Sequence, residues 1–439
     1  MRLVSILVVV LVSVLQAAAL PGLGQTNVVR IAITRDEGNL NPYTYQSGYP
    51  GWNIMTLVYD TLFYPDANNE PIPWLARDAK LTPDGLTWTL TLHPNARWHD
   101  GRPLTADDVK FTFEYVAKIA HSRWTPTTRN LERVEAPNAQ TVIFRLKAPD
   151  AGFRLRTLAD VPILPRHIWE PVASVADARR FTNTVGSGPY RVEEVRAGQF
   201  YRLTANPQYF AGPVRVRELV LPIVRDATVS FTSLQAGEID ANARSLTPEL
   251  VAQFEKQPGM KVVRGPGFAS TLLQFNLEHP VLRDIKLRQA MAHAINTNLL
   301  VRLLMLGYAV VGSPGYLHPA TPSYASGLKF EANKSKAVSI LNEAGYRDRN
   351  GDGIRDAPDG TPLRFTLLAQ AERPIRVRGA ELIRTWLKDV GIEAQVRVAD
   401  DASVIDLVWP EFDVCRGRRF DIAMFGWSAP VIDAADGPG

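Results

Sequence analysis

The sequence predicts an α/β protein folded as two lobes. Its 439 residues make two or three domains at roughly 100–200 residues each. Strand-like and helix-like segments alternate through both halves of the chain. A clear strand–helix–strand unit closes the second half, and mixed elements of this kind call for layered α/β packing.

The first element lies outside the fold. Arg2 precedes an apolar run over residues 3–15, followed by Ala17, Ala18 and Ala19 and then Pro21 and Gly22. A basic start, a short apolar stretch and small residues describe a secretory leader over residues 1–25. The run falls short of the ~20 residues of a membrane span, and no cysteine near the cut suggests a lipid anchor. Residues 28–34 (VVRIAIT) are β-branched and read as a strand that Asn41-Pro42 closes. Residues 87–92 (TWTLTL) alternate as a strand does. After a turn at residues 100–103, Thr105 caps a helix whose first turn carries Asp107 and Asp108, with Val109, Phe113 and Val116 on one face. Residues 141–146 form another strand, and the loop 186–189 (GSGP) launches a further one at Tyr190.

The second region starts near residue 261. A strand is expected at 271–277 and a single helix at 287–306, with Ala290, Met291, Ala294 and Ile295 on its apolar side and Gly307 at its end. Residues 363–368 form a strand. Pro374 starts a helix with the stripe Ile383, Trp386, Leu387 and Val390, Gly391 stops it, and 392–398 is the next strand. Residues 420–425 (FDIAMF) add one more.

Composition excludes several classes. Lys plus Arg total 49 against 45 Asp plus Glu, a net charge of +4. Over this length that is no phosphate-binding field, so nucleic acid is not an expected partner. Hydrophobic residues at 46% and charged residues at 21% exclude a disordered chain. The lone Cys415 rules out a disulfide framework and a multi-thiolate zinc site. None of the seven histidines forms HExxH, Ser187 sits in GSGP rather than GxSxG, and no nucleotide-binding glycine motif is present. The chemistry of the residues favours binding over catalysis.

Two constellations carry binding chemistry. Aromatics cluster from Tyr43 to Trp74. Tyr59, Phe63 and Trp74 read as packed, whereas Tyr43, Tyr45, Tyr49 and Trp52 sit in a Gly/Pro loop and suit a ligand cleft. The second is the acidic stretch from Asp348. Asp348, Asn350, Asp352, Asp356 and Asp359 place oxygens at calcium-loop spacing with Gly353 at the bend, though Ile354 is one place early for an EF-hand. The alternative is an Asx-rich surface turn. No cofactor is required; a structural Ca2+ is the one metal this spacing suggests.

Several ordered motifs resemble family 5 of the bacterial extracellular solute-binding proteins, the peptide/nickel-binding group that serves ABC transporters. They are residues 84–89 (DGLTWT), 98–101 (WHDG), 103–109 (PLTADDV), 185–190 (VGSGPY), 237–240 (GEID), 275–276 with 288–295 (FN…RQA…AI) and 420–427 (FDIAMFGW). His93 stands where that family usually has Lys or Arg. The resemblance implies a two-lobed type II periplasmic-binding-protein fold, with lobe one over residues 26–265, an inserted subdomain at about 46–180, and lobe two over 266–439. It implies a monomeric, non-enzymatic receptor, exported to the periplasm or cell exterior. Such a receptor captures a small solute or oligopeptide between its lobes and delivers it to ABC permease subunits in the membrane.

By position, the resemblance assigns ligand contacts to Arg35, Asp36, Glu37, Asn276, Trp409, Arg416, Trp427, Ser428 and Pro430, with Arg416 suited to a ligand carboxylate. Pro430 replaces the Asp that holds the peptide ammonium in peptide-binding members. The family's polypeptide also continues past this strand and returns to lobe one. The present sequence stops at Gly439, so lobe two is expected to lack that return segment. Two other readings stay open at this point: a secreted hydrolase with a dispersed active site, and a calcium-stabilised surface interaction protein.

Overall fold

A computed structural model of the chain describes residues 28–428, apart from residues 39, 44–50, 67–69, 122, 266–268, 313–318, 320–323, 326 and 409–417. The chain divides into two compact units. One comprises residues up to 246 together with 251–264, and the other comprises 247–250 and 265 onward.

Unit one begins with β1 (Val28–Ala32), α1 (Gly51–Val58), β2 (Phe63–Pro65), β3 (Pro71–Pro73), β4 (Ala76–Leu81), β5 (Thr87–Leu92), α2 (Ala106–Lys118), β6 (Leu131–Asn138) and β7 (Thr141–Leu146). It continues with α3 (Arg166–Trp169), α4 (Val175–Arg180), β8 (Tyr190–Arg196), β9 (Phe200–Ala205), β10 (Glu218–Pro222), α5 (Ala227–Ala236), β11 (Ala241–Asn242) and most of α6 (Pro248–Lys256). Its main sheet has the order β11-β1-β10-β9-β8, and β1 runs parallel to both of its neighbours.

A second, antiparallel sheet, β4-β5-β7-β6, is built entirely from chain lying between β1 and β8. Alternation dictates its inner face. Trp88, Leu90 and Leu92 are buried on β5 and meet Val142 and Phe144 across the ladder to β7. α2 covers that face with Val109, Phe113 and Val116, all buried, and Phe113 packs edge-on against Phe144 at 4.9 Å. Asp108 secures the start of α2. Its Oδ2 accepts from the Thr105 N–H at 2.9 Å, and its Oδ1 accepts from the Arg166 N–H at 3.0 Å.

Unit two contains β12 (Ala269–Phe275), α7 (Ile285–Ala294), α8 (Thr297–Met305), α9 (Lys334–Glu343), β13 (Arg364–Gln370), α10 (Pro374–Lys388), β14 (Glu393–Ala399), α11 (Asp401–Val408) and β15 (Ile422–Ser428). The sheet order is β12-β15-β13-β14, with β13 parallel to β14 and β15 and with β12 antiparallel to β15. The βα β unit read from the sequence is present. Ile383, Leu387 and Val390 are buried, and Gly391 takes φ +83, the left-handed stop. One expectation is corrected. The single helix at 287–306 is two helices, because Ile295 is extended and Asn296 caps a new start, its side chain accepting from the Leu299 N–H at 2.9 Å. Asn competes locally for backbone N–H groups, which favours a cap over a helix interior. Among the described residues no helix is long and apolar enough to cross a membrane.

Replacing Asp108 with Ala strands two backbone N–H groups, so urea unfolding should show a loss of about 1–3 kcal/mol. The exposed Glu114→Ala should stay within about 0.5 kcal/mol.

Candidate ligand-binding site

In unit one the loop after β1 leaves the carboxyl end of a parallel strand, the usual place for ligands in α/β sheets. Tyr201, buried on β9, organises this loop. Its hydroxyl accepts from the Glu37 N–H at 2.7 Å and donates to Asp36. Asp36 also accepts from the Gly38 N–H at 2.8 Å and from the Gly198 N–H. Burial raises the Asp36 pKa, but these hydrogen bonds outweigh it and leave the carboxylate below its ordinary value. Arg35, half exposed, pairs with Glu37 at 2.6 Å. Glu37 and Leu40 then line a shallow recess with Asn41, Gly51, Ile54, Met55 and Val58.

Tyr43 corrects the aromatic-loop expectation. Its ring is 3% exposed, its hydroxyl donates to the Ile119 carbonyl at 3.0 Å, and it packs against Tyr115 and Trp169. An apolar ring with a satisfied hydroxyl is core here, not a cleft wall. Trp52 is partly buried against the core, and the Arg123 guanidinium lies 5.5 Å from its ring. Tyr45 and Tyr49 lie outside the described residues.

Behind the recess is a network that sequence reasoning missed. Asp60 is fully buried and accepts three hydrogen bonds, from Ser187 Oγ at 2.8 Å, Trp74 Nε1 at 3.0 Å and Tyr209 OH at 2.9 Å. Burial pushes its carboxyl up to about 6, against the lowering effect of those donors. The available signal was an acidic residue inside the apolar stretch 54–64. Gly186 and Gly188 flank Ser187 because a Cβ on either would collide with the Val58 or Leu57 carbonyl at the end of α1. His99 clamps the same loop. Its Nδ1 accepts from the Gly186 N–H at 3.2 Å, so Nε2 carries the proton and donates to the Gly188 carbonyl at 3.0 Å. Burial drives the His99 pKa down to about 4, with the Gly188 carbonyl pulling the other way. Ser187 is therefore a buried structural donor with no access to a substrate, and the hydrolase alternative finds no nucleophile in it.

In unit two, Asn276 makes structural hydrogen bonds. It is buried, its amide donates to the Phe420 carbonyl at 2.8 Å, and its Oδ1 accepts from the Glu278 N–H at 3.1 Å. It pins the entry of β15 to the end of β12. Trp427 and Ser428 lie on β15, paired in register with Ser270 and Ala269. Trp409, Arg416, Cys415 and Pro430 fall outside the described residues.

The model of the bacterial extracellular solute-binding proteins, family 5 Middle, matches residues 70–438. The chain belongs to this family. The oligopeptide-binding protein AppA of Bacillus subtilis strain 168 is 29% identical over 393 residues, covering 88% of this chain and 70% of AppA. The solved structure of AppA with a nonapeptide aligns at TM-score 0.78 and 27% identity, over 92% of this chain and 80% of that one. NikZ of Campylobacter jejuni with Ni(L-His) gives 0.80 at 25% identity, over 92% and 78%. An oligopeptide ABC transporter protein of Thermotoga maritima with mannohexaose bound gives 0.75 at 25%, over 92% and 77%. The fold is thus the type II binding-protein fold, and the family consists of solute-binding receptors rather than enzymes.

In this family 5 chain, the WHDG and VGSGPY segments clamp each other through His99. The acidic stretch in unit two is likewise local. Asp348 accepts from the Gly351 and Gly353 N–H groups at 2.7 and 2.9 Å, Asn350 from Asp352 at 3.0 Å, and Asp352 from Ile354 at 2.8 Å. Asp356 accepts from the Arg349 N–H at 3.2 Å, Asp359 accepts from Thr361 at 2.9 Å, and Arg364 neutralises Asp352 at 2.8 Å. Among the described residues no group of three or more His, Cys, Asp or Glu side chains is placed to hold a metal ion. The geometry is that of nested Asx turns, with at least one side-chain oxygen of each residue turned to a backbone N–H.

Two outcomes follow. Asp60 binds its proton more tightly folded than unfolded, so its stabilisation is present below about 4 and is lost as pH rises through about 6. His99 is the reverse, and its stabilisation is present above 6.5 and lost as pH falls through about 4. In urea titrations between pH 4 and 7, Asp60→Asn should gain on the wild type as pH rises, and His99→Gln should gain as pH falls. Matching trends in the two variants would contradict the assignment. In the acidic loop, Asp348→Ala should cost about 1–2 kcal/mol, while EDTA should leave the wild-type Tm unchanged in the same thermal melts.

Proposed function

We propose that this chain is the extracytoplasmic receptor of an ABC importer, which captures a small solute and delivers it to membrane permease subunits. The observation that carries the reading is family membership over residues 70–438. Two separate α/β units support it, each with parallel strands whose carboxyl ends offer loop contacts to a ligand. In such a receptor, affinity arises from contacts completed as the units close on the ligand, and no covalent bond changes. The leader over residues 1–25 exports the chain to the periplasm or cell exterior, where it acts as a monomer.

The solute class follows from relatives and from one substitution. The solved relatives hold a nonapeptide, a nickel–histidine complex and a mannose oligosaccharide. Pro430 stands where peptide-binding members present a carboxylate to the α-ammonium. A buried ammonium without a counter-charge is costly, so the preferred solute presents no free ammonium at that point. A thermal-shift series with free and N-acetylated peptides, neutral oligosaccharides and Ni(L-His) tests this. One class should raise Tm with concentration, adding about 2.7 kcal/mol of stability at a hundredfold excess over Kd. No shift with any class, together with hydrolysis of an ester or peptide, would sink the receptor reading.

A further inference from the structure

Asn350-Gly351 is the one Asn-Gly step in the chain, and both residues are exposed in the loop between α9 and β13. The backbone nitrogen after an asparagine can attack the side-chain amide carbon and close a cyclic imide. A Cβ on the following residue obstructs that approach, and glycine has none. Gly351 takes φ +77 and has open space around it, so water reaches the peptide.

The turn places the groups of an acyl transfer around this step. The Gly351 N–H donates to Asp348 Oδ1 at 2.7 Å, so a carboxylate sits on the proton that the nucleophile must lose. The other Asp348 oxygen accepts from the Gly353 N–H at 2.9 Å, which fixes the carboxylate's orientation. Asn350 Oδ1 accepts from the Asp352 N–H at 3.0 Å. That donor lies on the oxygen where negative charge develops as the amide carbon becomes tetrahedral. Asn350 Nδ2 donates to Asp352 Oδ2 at 3.1 Å, so the same residue holds both ends of the amide. Nucleophile, proton acceptor and oxyanion donor are thus held together within residues 348–352.

We propose that Asn350 is a self-modification site, converted through a cyclic imide to aspartate and isoaspartate with water as co-reactant. The Gly351 nitrogen bonds to Asn350 Cγ and gives its proton to Asp348. The Cγ–Nδ2 bond breaks, Asp348 returns the proton to the departing nitrogen, and ammonia leaves. Water then opens the imide at either carbonyl. Opening at one carbonyl gives aspartate; opening at the other routes the main chain through the side-chain carbon and gives isoaspartate. Both products add a negative charge beside Asp348 and Asp352, and isoaspartate lengthens the main chain and ends the Asx turn over residues 350–352. This chemistry needs no solute and stands apart from the receptor reading.

The test incubates the full chain at neutral pH in heavy-oxygen water, beside the same chain unfolded in guanidinium chloride, and locates the modified residue by peptide mass spectrometry. Asn350 should convert roughly 10-fold or more faster in the folded chain than in the unfolded one, with heavy oxygen in its product peptides. Asn350→Asp supplies the chromatographic standard for the aspartate product. Asp348→Asn keeps an oxygen acceptor for the Gly351 N–H but removes the base, and it should slow the folded chain to about the unfolded rate. Where that variant fails to fold, the comparison of folded and unfolded wild type still decides. A folded rate at or below the unfolded one overturns the proposal, because the turn then shields the amide. So does a folded Asp348→Asn chain that converts as fast as the wild type, or conversion at other asparagines with Asn350 intact.

Discussion

Unit one depends on a carboxylate that has no access to water. Asp60 follows directly from α1 and receives donors from three distant segments: Trp74 after the β2–β3 hairpin, Ser187 in the loop before β8, and Tyr209 after β9. Asp60 has its full set of hydrogen bonds only if all three segments arrive together. A buried polar network of this kind is stable when complete and expensive when partial. It therefore selects one arrangement of the inserted antiparallel sheet against the main sheet. The glycines around Ser187 act in the same direction. They let the loop backbone lie directly on the carbonyls that end α1, and His99 locks that approach from the other side.

The most recognisable motifs hold the frame of unit one together. The histidine of WHDG and the two glycines of VGSGPY meet through a pair of ring nitrogens and close backbone packing. Tyr201 plays a parallel part for the loop after β1, holding Asp36 and Glu37 by one hydroxyl. A receptor that must take up varied solutes benefits from motifs that preserve the frame and leave the exposed positions free to differ.

Much of the fold was legible because burial imposes a period. TWTLTL and TVIFRL alternate and are the centre of a sheet, and the stripe Ile383, Leu387 and Val390 with Gly391 marks a helix and its end. Where local chemistry competed with period, the reading failed. The apolar spacing at 287–306 runs through Asn296, but the Asn side chain takes a backbone N–H and breaks the helix. The site was less legible. Tyr43 and Asn276 are polar or aromatic residues next to loops, which suggested ligand contact, yet each satisfies buried backbone carbonyls. Whether such a group faces a ligand or a carbonyl depends on which distant segment folds over it, and spacing along the chain carries no record of that. Asp60 and Arg376 show the same limit from the other side, since a lone charge acquires meaning only from the partners that the fold brings to it or withholds.

Those two charges are enclosed in different ways. Asp60 is enclosed and fully hydrogen-bonded by protein donors, and its charge state can change without any outside partner. Arg376 is only partly enclosed, its one protein acceptor is neutral, and the neighbouring residue is a glycine that removes a side chain from its surroundings. Burial costs both groups solvation. For Asp60 the fold offsets part of that cost with three donors. For Arg376 the fold supplies an amide oxygen, a ring face and the longer-range opposite charge of Asp401. A charge that contributes to stability is enclosed with its partners.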